Sequence, residues 1–277
     1  MKFTTTALTA AMLAGSSLAA PRAGLAERLE RRGALPRQSL PLNKIDNTAE
    51  ENGVLLKEDS GASNIQYSKN WGGVVREKPP PSGTYTAVSA TFTVPNPTPT
   101  DNSGDMQAAS AWVGIDGDTY TAAILQTGVD FWTQNGTVNF DAWYEWYPNN
   151  ADNFDLNVSA GDVIFAKVES SSPSQGIAIL ENQSSGQSVT TTLSAPSTTA
   201  TLAGQNVEWI VEDFNSGSSM VALVNFDQVT FSGAQAKSSD DEDFGVNDSA
   251  ILEIQQNGKV LAEVNIQSDT EFDVTYQ

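Results

Sequence analysis

Val138-Asn139-Phe140-Asp141-Ala142-Trp143-Tyr144-Glu145-Trp146-Tyr147 alternates without a break. Val138, Phe140, Ala142, Tyr144 and Trp146 fall on one side, Asn139, Asp141, Trp143, Glu145 and Tyr147 on the other. Period two marks a strand with one covered face, and the apolar side is the one to meet a core. Asn135-Gly136, just upstream, is a hairpin signal because both central positions can take positive φ. The same alternation recurs from Val88 to Val94, where Pro95 ends it. Further runs are Val163 to Val168, Ile177 to Leu180, Val207 to Phe214, Val221 to Phe231, Ile251 to Ile254, Val260 to Val264 and Phe272 to Tyr276. Asn257-Gly258 supplies a second hairpin signal. No convincing amphipathic helix follows residue 60. Short strands with frequent turns favour an all-β sandwich of two antiparallel sheets over a βαβ fold. The stretch from Asn96 to Gln107 reads as a polar surface loop entered through Pro95, Pro97 and Pro99.

Composition narrows the chemistry. The 277 residues hold 14 Lys+Arg, 34 Asp+Glu, no His and no Cys, for a formal charge of -20. Without His there is no Ser-His-Asp triad, Cys-His dyad or imidazole metal site. Without Cys there is no disulfide, zinc ribbon or iron–sulfur cluster. So acidic a chain lacks the basic face that nucleic acid requires. Carboxylate, amide, hydroxyl, Tyr and Lys chemistry remains, with no cofactor or metal expected.

Charge also divides the chain. Met1-Lys2 and the apolar run Ala7 to Leu18 read as a secretory signal peptide, residues 1–19, too short for a membrane anchor. A soluble, secreted, monomeric product without a membrane partner is expected. Residues 20 to 54 carry six basic and five acidic residues, whereas residues from 55 onward carry 7 basic and 29 acidic. That contrast suggests a basic pro-segment, residues 20–59, before an acidic domain, residues 60–277. If this segment is an inhibitor latched onto the acidic domain, protonating the carboxylates should release it; a plain N-terminal tail is the alternative.

Certain strand faces are unusual. Asp141, Trp143, Glu145 and Tyr147 share a side. Acids interleaved with large aromatics suit a groove for an extended polymer, giving apolar contact and hydrogen bonds together. They equally suit a face whose aromatics pack against a loop, and this strand alone leaves both open. Gln126 follows the apolar stretch Ala122 to Leu125, so it reads as a buried amide needing partners. Glu208, Ile210 and Glu212 share the face opposite Val207, Trp209 and Val211. An apolar neighbourhood would raise a Glu pKa there, but periodicity does not choose Glu212 over Glu208.

Five blocks together resemble the fungal glutamic peptidases, the eqolisins. They are Asn70-Trp71-Gly72-Gly73, Ala111 to Thr119, Ala123 to Asp130, Asp141 to Pro148 and Val207 to Phe214. The resemblance spans about residues 68 to 277. It implies a concanavalin-like sandwich, a secreted preproenzyme, and a pepstatin-insensitive endopeptidase acting on polypeptides at acid pH. It also implies a catalytic dyad at Gln126 and Glu212. Trp71, Trp112, Asp116, Asp130, Asp141, Trp143, Glu145 and Tyr147 would line or support the cleft. Tyr120 stands where relatives often carry Cys. In this scheme Glu212 takes a proton from water, water attacks the scissile carbonyl, and Gln126 stabilises the oxyanion. The rivals are a β-sandwich glycoside hydrolase using Glu145 and Glu212, and a noncatalytic carbohydrate- or peptide-binding module.

Overall fold

The computed structural model describes residues 36–45 and 65–277, together with Ala26. The expected signal peptide lies outside the described residues, as does most of the expected pro-segment except 36–45. Thirteen principal strands build the domain. They are β1 (Trp71–Arg76), β2 (Tyr85–Thr93), β3 (Gln107–Ile115), β4 (Ile124–Gln134), β5 (Thr137–Tyr147), β6 (Val163–Ser172) and β7 (Gln175–Asn182). Then come β8 (Gln187–Ser194), β9 (Val207–Glu212), β10 (Gln228–Ser238), β11 (Ala250–Gln256), β12 (Lys259–Ser268) and β13 (Glu271–Tyr276). No helix occurs within 36–45 or 65–277.

The strands form two antiparallel layers, the all-β sandwich that the alternation predicts. One runs β8-β7-β6-β2-β10-β13-β12. The other runs β11-β1-β9-β3-β4-β5. The β11–β12 hairpin joins the layers along one edge. Its turn residues Asn257 and Gly258 take φ of 52 and 74, and Asn135 and Gly136 take 50 and 74 between β4 and β5. Both turns therefore sit where the sequence signals them.

Between the layers lies a large apolar core, with Ala90, Phe92, Val168, Leu180, Phe231 and Val274 meeting Val74, Val113, Val129, Ala142, Trp146 and Val211. The β11-to-β5 layer is also covered on its outer face. There Trp71, Val75, Trp112, Ile124, Trp143, Ile210 and Leu252 make a second cluster, joined by Leu42 from the N-terminal segment. Two covered faces explain why β3 and β9 are buried at every position. The sequence departs from expectation between Val221 and Phe231. Only Ala222–Leu223 and the start of β10 are strand there. Asp227 at φ 60 breaks the run, a left-handed turn that short polar side chains tolerate.

Candidate active site

Strand pairing places the outer-face side chains in three rows across five strands. The first is Val75, Glu208, Gly114, Gln126 and Glu145. The second is Gly73, Ile210, Trp112, Gly128 and Trp143. The third is Trp71, Glu212, Ser110, Asp130 and Asp141. Acids and an amide thus flank a middle row floored by two indoles. Side chains of one parity stay on one face of a strand, so this arrangement follows directly from register.

Residues 36–45 lie across these rows. Main-chain bonds hold the segment in place: Ala151 N–H donates to Arg37 C=O (3.0 Å), Leu42 N–H to Gly117 C=O (3.0 Å) and Lys69 N–H to Asn43 C=O (2.9 Å). Arg37 and Gln38 add a short antiparallel pairing with Ser216 and Asn215. The Arg37 side chain points inward and is buried. Its guanidinium carbon stands 3.6 Å from the Trp143 ring centroid and 4.8 Å from that of Phe214. Its nitrogens reach Glu145 Oε2 at 2.9 Å, Asp130 Oδ1 at 3.3 Å and Glu212 Oε2 at 3.7 Å. One cation therefore bridges the first and third rows over the middle one.

Glu212 is fully buried and receives three further donors. The Ser39 hydroxyl bonds Oε2, Leu40 N–H donates to Oε1 at 3.2 Å, and Trp112 Nε1–H donates to Oε2 at 3.1 Å. Burial raises the Glu212 pKa, while Arg37 and these hydrogen bonds pull it down. Burial likewise pushes Glu145 up to about 8, against the pull of Arg37 and the Ser39 N–H. Burial lowers the Arg37 guanidinium, and Glu145 and Glu212 hold it up.

The predicted site residues fall into three groups. Trp71, Trp112, Asp130, Asp141, Trp143 and Glu145 are buried on the outer face beside Glu212, and Tyr147 packs half-buried at the edge of the same cluster. The Trp71 and Trp112 rings meet edge to face at 5.0 Å. Gln126 lies on this face next to Glu145, two strands and four residues from Glu212. Its amide atoms are buried and have no hydrogen-bond partner among the described residues. Asp116 supports the cleft rather than lining it. Its carboxylate accepts from the N–H groups of Ala203, Gly204, Gln205 and Asn206 at 2.7 to 3.3 Å. The sequence reading did not single out Ser39 or Leu40, and no periodicity points to them; Phe214 enters it only as the end of the run from Val207. Among the described residues no cluster of His, Cys, Asp and Glu could hold a metal ion.

Buried carboxyls and an amide over an aromatic floor, on one face of a two-layer β-sandwich, define a class of protein with a carboxyl-rich cleft. The comparisons say which. The Peptidase A4 family matches residues 69–276, and the chain belongs to it. Aspergillopepsin-2 of Aspergillus niger is 42% identical over 294 residues, covering 100% of both chains. Scytalidopepsin B of Scytalidium lignicola is 34% identical over 283 residues, covering 98% of each. A crystal structure of scytalido-glutamic peptidase with a transition state analog inhibitor superposes with a TM-score of 0.67 at 34% identity, covering 76% of this chain and 98% of that one. Aspergilloglutamic peptidase from Aspergillus niger gives 0.59 at 49% identity, covering 62% of this chain and 99% of that one. The protein is a glutamic peptidase of the eqolisin type. The glycoside hydrolase and binding-module readings have no support in these relatives.

Proposed function

We propose that the chain is the latent precursor of a secreted, pepstatin-insensitive acid endopeptidase, with Glu212 and Gln126 as its dyad and residues 36–45 as its inhibitor. The observation that carries this is the Arg37 guanidinium bridging Glu145, Asp130 and Glu212 in a single hollow. Glu145 is the cross-strand neighbour of Gln126, so the hollow reaches both members of the dyad.

In the open cleft, a polypeptide replaces the segment. The Ser39 hydroxyl on Glu212 marks where an attacking water fits. The Glu212 carboxylate takes one proton from that water as its oxygen bonds to the scissile carbonyl carbon. The carbonyl π pair moves onto oxygen, and the Gln126 N–H donates to that oxyanion; one preorganised donor is worth about 3–4 kcal/mol. Glu212 then delivers its proton to the amide nitrogen, the C–N bond breaks, and an acid and an amine leave. Trp112 Nε1–H on Glu212 Oε2 holds the carboxylate in aim throughout. The reaction needs neither an acyl-enzyme nor a metal.

The test is digestion of a denatured protein at about pH 3 with pepstatin present. Wild type cleaves; Gln126→Ala and Glu212→Ala fold and are inactive. Substantial cleavage by either variant refutes the dyad.

A further inference from the structure

Glu208 is a buried acid that the scheme above leaves unused. It is 0% exposed, and neither carboxyl oxygen has a hydrogen-bond partner among the described residues. It sits in the first row, separated from Gln126 only by Gly114. Gly114 puts no side chain between them, and the Glu208 carboxyl leans over it: a Cβ there would stand 2.6 Å from Glu208 Oε1, 2.8 Å from Trp112 Cζ3 and 3.3 Å from Gln126 Cβ. Both amide atoms of Gln126 are buried and unpartnered as well. Buried polar groups left without a partner are a costly arrangement, because each has given up its hydrogen bonds to water.

We infer that Glu208 is a positioning residue that acts as a neutral carboxylic acid, pairing with the Gln126 carboxamide across Gly114 in the open enzyme and fixing which end of that amide faces substrate. This rests on the dyad reading above. The hydrogen-bond inventory favours the pairing. A carboxylic acid offers one O–H and one acceptor oxygen, and a carboxamide offers an acceptor oxygen and two N–H. Glu208 O–H donates to Gln126 Oε1, one Gln126 N–H donates back, and the second N–H remains for the oxyanion. With its oxygen held by Glu208, the amide cannot flip and present an acceptor to a developing negative charge. An ionised Glu208 could not do this, because it would only accept, and would compete with the oxyanion for the N–H groups.

The surroundings keep Glu208 neutral. Burial raises its pKa, and the charges of Asp116 and Asp118, from the turn after β3, push it the same way. Glu77 faces Asp118 in turn, with Lys44 opposing it. Asp116 is committed to four backbone N–H groups and offers Glu208 no proton.

The experiment compares Glu208→Gln and Glu208→Leu with wild type, using full chains processed by a trace of pepsin that is then silenced with pepstatin. Glu208→Leu should lower kcat about 10²-fold, the loss typical of one oxyanion donor, with KM within about twofold and melting temperature undiminished. Glu208→Gln, which keeps a donor and an acceptor, should stay within about threefold of wild type and extend activity toward higher pH. Wild-type kcat in Glu208→Leu overturns the inference, as does a loss above tenfold in Glu208→Gln. If Glu208→Leu does not fold, the near-isosteric Glu208→Gln decides alone by the same threshold. Activity in Gln126→Ala would instead remove the dyad itself, so the two failures are distinguishable.

Discussion

Arg37 is the side chain on which the proposed latency turns, and nothing local in the sequence distinguishes it from its neighbours. It appears there as one of six basic residues between 20 and 54. What makes it special is long-range: it is buried against Trp143 and three carboxylates. Of those three acids, Glu145 is legible from its parity with Trp143 and Tyr147 on β5, whereas Asp130 and Glu212 lie on other strands and enter through the family resemblance; their cationic partner was legible only as a charge contrast. Truncating one member of a buried, hydrogen-bonded charge set typically loses about 2–5 kcal/mol. A peptide of residues 36–45 should therefore inhibit the processed enzyme, and its Arg37→Ala version should inhibit at least ~30-fold more weakly. The pH dependence has a sign. Arg37, Ser39 and Leu40 all pull the Glu212 pKa down, so they bind its ionised form better than its neutral form. The burial that raises it comes in good part from the sheet, since β9 is buried throughout between β1 and β3. Inhibition is then fully present where Glu212 is ionised and is lost as pH falls through its value in the complex. Inhibition constants measured between about pH 6 and pH 3 should rise. Tighter inhibition on acidification would exclude this electrostatic release.

At the scale of strands, legibility followed burial pattern. β5, β2 and the β11–β12 hairpin read clearly because one face alternates with the other or an Asn-Gly turn pins them. β3, Gln107–Ile115, gives no alternation, because it is buried on both faces. β8, Gln187–Ser194, was missed for the opposite reason: it is a polar strand at the layer's edge, mostly exposed, with little apolar content to register. The row structure of the cleft is a property of register, which a single strand's sequence does not contain. It also explains the glycines. Gly128 sits in the middle row between Trp112 and Trp143. A Cβ there would meet Ala111 C=O at 2.2 Å and Trp112 Cβ at 2.5 Å, so backbone rather than a side-chain tip stands in the way. Gly128→Ala should destabilise by about 1–3 kcal/mol through overpacking. In thermal unfolding that is roughly 2–4 °C per kcal/mol for a domain of this size. A variant that melts with wild type would mean that β3 and β4 can separate freely, against the buried packing seen here.

Taken whole, the molecule is an acidic sandwich that buries many of its carboxyls, and this predicts where on the pH scale it is most stable. Burial raises the pKa of Asp116, Glu208, Glu212, Asp213 and Glu253, lifts Asp118 to about 6 and Glu145 to about 8. An acid whose folded pKa exceeds its unfolded value stabilises the fold fully below the unfolded value, near 4, and that contribution is lost as pH rises through the folded value. The window defined by Asp118 and Glu145 is therefore about pH 4 to pH 8. Surface charge acts in the same direction, since 29 acids against 7 bases from residue 55 onward repel more as they ionise. The two contributions separate by salt: ions screen exposed charges over about 10 Å at 0.1 M but scarcely reach buried ones. The full chain should melt at least ~5 °C lower at pH 7 than at pH 4. Added salt should recover only part of the difference, because Glu208 and Asp213 ionise, if at all, away from solvent. A melting temperature that peaks at neutral pH would contradict the buried-carboxyl account. Full recovery by salt would confine the effect to the surface.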